Sequence, residues 1–590
     1  MFLFFRSQSV CMKATPTTHD LALKDEGFRN LAEALDYAAG GRTGYNFYSG
    51  QGRLQTALPY QTLRDEARSL AGRLLALGLP RGARVALVAD TSPDFVRFFF
   101  ACQYAGMTPV PLPAKIQLGG HREYTGQLER LLSICQASVA IAGDGFLPFL
   151  EEAAGGLDLR FAGSPQAFAA LPASTAPLRP QEPDELAYLQ YTSGSTRFPR
   201  GVMITQQAVL HNARAIIRHG VQIRSGDRAV SWLPYYHDMG LVGLLLTPLV
   251  CQISVDYLNT RDFAMRPRLW LKLLSENRGT ISFSPPFGYD LAARRVRDDE
   301  LAGYDLRSWR VAGVGAEMIR PETLARFAER LAPSGFSSRA FLPCYGMAEC
   351  SLAVCFAPLD HGVRVDRVDA ERLADRSLAE AVPPRGRNGS LRANSFVTCG
   401  QPLPECDLEI RDEDNQVLPE RRCGTVFVRG PSLMTGYFNN GEATAEVLSA
   451  DGWLDTGDLA YRVGDEVVIV GRSKDTIIVN GRNILPQDIE YLAESQPGVR
   501  TGDTTAFPVP DAQGYDQAVL LVECRETGER ERRDLVRRIS QLVRTELGID
   551  CVVELVERNT LIRTTSGKPS RRSTRKAYLQ HQPQVEIALS

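Results

Sequence analysis

The chain has 590 residues, with 67 Lys and Arg against 69 Asp and Glu, a formal charge of −2, and 44% hydrophobic and 23% charged side chains. These globular proportions exclude a disordered chain, a small disulfide scaffold and a dedicated nucleic-acid binder, which needs a large basic surplus, and the length allows about three to four domains of ordinary size. Twelve Cys with no C-x-x-C and no zinc-ligand spacing read as reduced, mostly buried thiols of a soluble cytoplasmic protein.

The opening run Met1-Phe2-Leu3-Phe4-Phe5-Arg6 is too short for a signal-peptide core, and Met12 offers an alternative start. From Tyr60, the positions Leu63, Ala67, Leu70, Ala71, Leu74 and Leu75 recur at helical spacing until Gly78 and Pro80 stop the pattern. The apolar run Val85–Ala89 predicts a strand, and Ser92-Pro93 predicts the cap and first residue of a helix reaching about Gly106. The same alternation returns at Leu128–Cys135 and Val139–Ala142. Short all-apolar strands alternating with helices indicate a parallel sheet covered on both faces, so the fold class is α/β. The longest uncharged apolar stretch, Met239–Cys251, falls short of the roughly 20 residues that span a bilayer. No membrane span is expected.

Residues 359–394 are charged, contain Pro383-Pro384-Arg385-Gly386 and show no apolar period, which reads as a surface insertion. After Gly471-Arg472-Ser473-Lys474-Asp475 the chain restarts with a strand at Thr476–Val479. The boundary is placed there, giving domains 1–473 and 474–590. From Arg525 onward, 14 Lys and Arg face 9 Asp and Glu, so the tail is basic.

Chemistry concentrates at Tyr191-Thr192-Ser193-Gly194-Ser195-Thr196-Arg197, between the run Leu186–Gln190 and the strand Val202–Ile204. Small hydroxyl residues and glycines let backbone N–H groups approach an anion, so the loop reads as a phosphate cradle. Taken alone, such a loop is more often a solvated hairpin. It is not a Walker A loop, and Gly313-Val314-Gly315-Ala316-Glu317 lacks the third glycine of a dinucleotide fingerprint. Neither H-E-x-x-H nor G-x-S-x-G occurs, which removes zinc proteases and the usual serine hydrolases.

Five further motifs follow in order: Ser231-Trp232-Leu233-Pro234-Tyr235-Tyr236-His237-Asp238-Met239-Gly240, Cys344-Tyr345-Gly346-Met347-Ala348-Glu349, Gly452-Trp453-Leu454-Asp455-Thr456-Gly457-Asp458, Gly471-Arg472-Ser473-Lys474-Asp475 and Thr564-Thr565-Ser566-Gly567-Lys568. With the loop they resemble the adenylate-forming superfamily over essentially the whole chain. Within it the chain most resembles the fatty acyl-AMP ligases, through Gln190–Arg197, the Tyr-Tyr-His-Asp-Met-Gly run, Gly481-Arg482-Asn483-Ile484-Leu485-Pro486 and an insertion at the place where such ligases carry one. The resemblance implies a large N-terminal domain of α/β layers with a β-rich subdomain and a small, mobile α+β C-terminal domain. It further implies activation of a fatty acid by ATP with Mg²⁺, and acyl transfer to an acyl carrier protein or a carrier domain of a polyketide or nonribosomal peptide synthase. The family insertion is held to restrict C-terminal domain rotation and so disfavour CoA thioester formation.

The resemblance also assigns roles. Thr192, Ser193, Gly194, Ser195 and Thr196 would hold the β- and γ-phosphates. Tyr345 would lie against adenine, with Gly315 and Ala316 on its other side and Gly346, Met347 and Ala348 completing the nucleotide pocket. Asp458 would accept from the ribose hydroxyls, and Arg472 would reach the ribose or phosphate. Glu349 would help bind Mg²⁺, Lys474 would be the hinge, and Lys568 would bridge carboxylate and α-phosphate, a task suited to a compact ammonium on a flexible stem. His237 is expected at the mouth of the acyl tunnel, with Trp232 and Tyr289 near it. Each has a plainer rival: a core histidine, a turn aspartate, an exposed loop lysine, packing aromatics. Arg571, Arg572, Arg575 and Lys576 read as a solvated face that could steer an acidic carrier protein. Two departures stand out, Arg200 where a phosphate-loop Lys is usual and Leu485-Pro486 for an aromatic-Pro pair. The competing functions are an acyl-CoA synthetase with a decorative insertion and a non-catalytic acyl- or nucleotide-binding module.

Overall fold

The computed structural model describes residues 13–17, 21–24, 27–114, 120–192, 199–382, 393–479, 482–510, 516–524, 528–564 and 569–581. The alternating runs of the first 165 residues form a four-stranded sheet, every neighbouring pair parallel, in the order Thr108–Leu112, Arg84–Val88, Ala137–Ile141, Phe161–Gly163. Helices Pro93–Ala105, His121–Ile134 and Leu147–Ala154 make the crossovers. Ser92 caps the first, its Oγ accepting from the Phe95 N–H at 3.4 Å, and Gly106 ends it in a left-handed conformation. The helix expected from Tyr60 runs over Tyr60–Ala76 and buries Leu63, Ala67, Ala71 and Leu74.

A nine-stranded sheet carries the motifs. From one edge its strands are Gln401–Pro402, Ala353–Phe356, Phe341–Gly346, Val311–Val314, Ile281–Ser284, Arg228–Ser231, Ser254–Leu258, Gly44–Tyr48 and Leu54–Pro59. The six from Phe341–Gly346 to Gly44–Tyr48 run parallel, with antiparallel strands only at the edges. Their carboxyl ends therefore open on one side, where open α/β sheets bind ligands. The apolar stretch from Met239 is a buried core helix, π-helical over Met239–Leu246 and α-helical over Thr247–Val250. No helix among the described residues is long and apolar enough to cross a membrane.

A four-stranded antiparallel sheet, Asp407–Arg411, Gly424–Arg429, Leu454–Val463 and Glu466–Arg472, supplies the β-rich part. The residues from Ile477 on build a core of their own, extending to Val553. Here helix Glu529–Leu547 lays Leu535, Ile539 and Val543 on a three-stranded sheet, while its many Arg and Glu stay outside. The architecture is α/β layers with a β-rich part, followed by an α+β region.

The insertion is folded. Strand Val365–Asp369 pairs antiparallel with Ala393–Val397, and helix Ala370–Arg376 lies between them in sequence; residues 383–392 lie outside the described residues. Val368, Leu373 and Ala379 are its apolar anchors, packed with Phe396, Tyr461, Val468, Val470 and Leu485. Three anchors spread over a strand–helix–strand unit leave no single period to detect. Across the 474 position, Asp375 accepts from Arg482 Nε at 2.9 Å and Asp488 accepts from Asn394 Nδ2 at 3.3 Å.

Candidate active site

Three motif segments start where parallel strands end. Trp232 follows Arg228–Ser231, Gly315 follows Val311–Val314, and Tyr345 and Gly346 close Phe341–Gly346. The chain turns sharply at each. After Ser231 it folds back so tightly that a Cβ on Gly240 would lie 2.1 Å from the Pro234 oxygen, so only glycine fits. This fold exposes His237 by about a third, with Nδ1 2.6 Å from Asp238 Oδ1, and the Asp238 carboxylate also caps the next helix through the Met239 N–H at 2.8 Å. Gly346 is equally constrained: a Cβ would lie 1.9 Å from the Leu352 oxygen. Ala316 (φ 65°) and Ser351 (φ 64°) hold left-handed backbone beside these turns, a strain that tends to gather at functional sites.

Asp458 is the meeting point. It lies within strand Leu454–Val463, is 7% exposed, and pairs directly across the ladder with Arg472. The Tyr345 hydroxyl donates to Oδ2 at 2.7 Å and Arg472 Nε donates to Oδ1 at 2.9 Å. Burial and the neighbouring carboxylate push the Tyr345 phenol far up, so it donates at any physiological pH; Asp458 raises the Arg472 guanidinium in turn. Residues from three sequence motifs thus share one carboxylate.

Glu349 follows Tyr345 on a short 3₁₀ turn, Ala348–Cys350. Its Oε1 accepts from the Tyr437 hydroxyl at 2.8 Å, and burial raises its pKa against the smaller pull of that bond and of Arg472. A half-buried carboxylate bonded by a neutral hydroxyl is short of positive charge, which fits a divalent cation. No group of three or more His, Cys, Asp or Glu stands together among the described residues. A Mg²⁺ here would take Glu349 as its protein ligand and would offset the charge of bound phosphates. Tyr437 escaped the sequence reading because its Thr-Gly-Tyr-Phe surroundings look like any short strand. The Arg200 guanidinium lies 5.0 Å from the Tyr437 ring centre, its Nη2 3.4 Å from Glu446.

A small apolar cavity of about 30 Å³ adjoins these segments, lined by Met239 two residues after His237, by Leu352 three after Glu349, and by Phe283. The helical face Met239, Gly243, Leu244 and Pro248 forms one wall. Trp232 and Tyr289 do not line this cavity. Trp232 stacks on Phe263 at 3.7 Å, and Tyr289 sits fully buried among Trp270, Trp309 and Phe327, its hydroxyl donating to the Gly313 oxygen at 2.8 Å.

Of the phosphate loop, Thr192 ends strand Leu186–Thr192 opposite Arg200, closing a hairpin with Arg200–Thr205; Ser193, Gly194, Ser195 and Thr196 lie outside the described residues, as does Lys568. Lys474 is exposed on the 3₁₀ turn Ser473–Asp475. The free basic face expected on helix Arg571–His581 is broken at its first residue. Arg571 donates to both Glu490 oxygens at 2.8 and 2.6 Å and to Asp475 at 3.0 Å, because the helix packs this end against the region's own acids.

The AMP-binding enzyme family profile matches residues 42–438. A Caulobacter vibrioides protein provisionally named an acyl-CoA synthetase is 48% identical over 96% of this chain and 98% of its own length. The medium-chain-fatty-acid–[acyl-carrier-protein] ligase JamA of Moorena producens is 31% identical over 94% of this chain and 95% of its own. A solved structure from a study of fatty acyl-adenylate ligases of E. coli and L. pneumophila superposes with a TM-score of 0.89 at 46% identity, covering 95% of this chain and 99% of that one. With residues of separate motifs meeting where the carboxyl end of strand Phe341–Gly346 faces the antiparallel sheet, and relatives of this kind along its whole length, the chain belongs to the AMP-binding enzymes and is an adenylate-forming ligase related to the fatty acyl-AMP ligases.

Proposed function

We propose that the protein activates a fatty acid with ATP to the acyl-adenylate, releasing pyrophosphate, and passes the acyl group to the phosphopantetheine thiol of an acyl carrier protein. The observation that carries this reading is the apolar wall that begins two residues beyond His237, in a chain that also holds the Tyr345–Asp458–Arg472 cluster. A site built for a small polar acid would place paired polar groups there.

In the first step a carboxylate oxygen bonds to the α-phosphorus and the bond to the pyrophosphate oxygen breaks. An anion attacks an anion, so the site must supply positive charge and fixed donors. Asp458 anchors the ribose hydroxyls, Tyr345 lies against adenine and Arg472 offers its remaining N–H groups to ribose or phosphate. His237, steadied by Asp238, donates to the carboxylate at the cavity mouth. Mg²⁺ bound at Glu349 would offset phosphate charge. The Ser193–Thr196 loop holds the outer phosphates, and Lys568 bridges the two reacting groups from a C-terminal domain, residues 474–590, that turns at Lys474. In the second step the carrier thiolate attacks the acyl carbon and AMP leaves with the electron pair of the acyl–oxygen bond.

An acyl-CoA synthetase is the second reading, favoured by the name of the Caulobacter relative. Against it stand the contacts from Asp375 and Asn394 in the insertion to Arg482 and Asp488 beyond the hinge. The deciding experiment follows pyrophosphate release with a series of fatty acids and tracks the acyl product with CoA and with a phosphopantetheinylated carrier protein. Transfer to the carrier alone supports the proposal. Efficient acyl-CoA formation overturns its second half, and no pyrophosphate with any acid overturns the whole.

A further inference from the structure

Arg200, which stands where a phosphate-loop lysine is usual, turns its side chain inward. That side chain is 18% exposed, with the guanidinium 5.0 Å from the Tyr437 ring centre and Nη2 3.4 Å from Glu446. Tyr437 is 5% exposed, and its hydroxyl donates to Glu349 Oε1 at 2.8 Å. The backbone pins these three residues together. Strand Gly436–Tyr437 pairs antiparallel with Arg200–Thr205, while the Phe438 N–H donates to the Gly201 oxygen and the Met434 N–H to the Glu349 oxygen, each at 2.8 Å. Arg200 itself stands opposite Thr192 on the hairpin that frames the phosphate loop. One tyrosine ring thus links that hairpin to the carboxylate suited to a cation.

Resting on the proposed function, we infer that Arg200 and Tyr437 are positioning residues for Glu349: the guanidinium packs on the ring, the ring aims its hydroxyl, and the hydroxyl holds one carboxylate oxygen, leaving the other to the divalent cation that accompanies ATP. A glutamate side chain loses rotamer freedom when it binds a cation, and a carboxylate already held by a neighbour has less to lose. Removing a hydrogen-bond partner of a metal ligand typically costs about 10- to 100-fold in metal affinity. The inference also accounts for arginine at position 200. A planar, weakly hydrated guanidinium packs on an aromatic face better than the compact, strongly hydrated ammonium of lysine.

The experiment titrates ATP into the full-length protein by calorimetry, without fatty acid, in excess Mg²⁺ and in EDTA. The readout is the ratio of the two affinities, so each variant's metal-free binding is its own reference. Mg²⁺ should tighten ATP binding by the wild type, and Tyr437→Phe, which keeps the ring and loses the hydroxyl, should lower the ratio about tenfold. Arg200→Ala should lower it about two- to fivefold and Arg200→Lys by less, the scale of a cation on an aromatic face. Arg200→Ala added to Tyr437→Phe should lower it no further, because the packing then has no hydroxyl to aim, and Tyr437→Phe added to Glu349→Gln should likewise have no effect on it. Should Tyr437→Phe fold poorly by circular dichroism, Arg200→Ala carries the test. A drop of less than about threefold in Tyr437→Phe, or a further drop in either double variant, overturns the inference while leaving fatty-acid activation standing. Wild-type ATP binding that Mg²⁺ does not tighten overturns it too. Absence of ATP binding by the wild type in both conditions sinks the proposed function, and this inference with it.

Discussion

Asp458 shows how much a single residue can organise. Its two oxygens are taken by a phenol and a guanidinium in the structure, and the same oxygens are the ones a ribose would use. On the proposed function, a ribose would compete with these partners for the Asp458 oxygens, and Arg472 is half-exposed. Replacing Asp458 by Ala removes acceptors worth about 1.5–3 kcal/mol each when charged, so kcat/KM for ATP should fall by roughly 10- to 100-fold or more. Tyr345→Phe keeps the ring and loses only the hydroxyl; a loss of about tenfold or less is expected, and steady-state kinetics with circular dichroism as a folding check measure both. Lys568→Ala should lower pyrophosphate release by about 10²- to 10³-fold, the usual cost of removing one transition-state donor, while ATP still binds by calorimetry. Full activity in that variant would remove the assigned role.

At the scale of elements, the turns after the strands decide the site. Gly346 lets strand Phe341–Gly346 pass under the Leu352 carbonyl, and Tyr345 and Glu349 hang on either side of that crossing. Gly346→Ala must push backbone against backbone, at a cost of about 1–3 kcal/mol, with a lower melting temperature and a larger loss of adenylation than stability alone explains. Helix Pro486–Glu494 carries a different device. Burial raises its Glu494 carboxyl to about 7, although the Gly502 N–H and the Thr504 hydroxyl donate to it. Between about 4.3, the unfolded value, and about 7 the folded chain holds a proton that the unfolded chain releases, so stability falls as pH rises through that window. Glu494→Gln keeps both acceptor contacts and should flatten this slope, leaving the variant more stable than the wild type above pH 7 by about 1–2 kcal/mol in urea titrations.

For the whole molecule, the decisive contacts join the insertion to the C-terminal region. Leu485 shares a core with Val368, Leu373 and Phe396, and Arg482 bonds Asp375 and the Leu547 oxygen. An isolated half-exposed ion pair contributes about 0–1 kcal/mol, so the buried Leu485 is the stronger tie. Leu485→Ala combined with Asp375→Ala should loosen the C-terminal region and raise the acyl-CoA product relative to carrier transfer severalfold. An unchanged product ratio would show that these contacts do not govern the acceptor.

The sequence by itself determined what local chemistry dictates. The β-α alternation of residues 60–142, the Ser92 cap and the ordered motifs are properties of neighbouring side chains and their spacing, and they specified both the fold class and the residues to examine. Tertiary structure decided what depends on distant segments meeting. That Tyr345, Asp458 and Arg472 share one carboxylate, that Tyr437 holds Glu349, and that Arg571 is consumed by Glu490 and Asp475 are contacts between segments tens to hundreds of residues apart. No periodicity records such contacts, because a side chain's partner is set by sheet order and crossing strands rather than by its neighbours in the chain. The insertion shows the same limit at larger scale: its anchors are apolar residues scattered among charges, and only the surface they dock on reveals which of them are core.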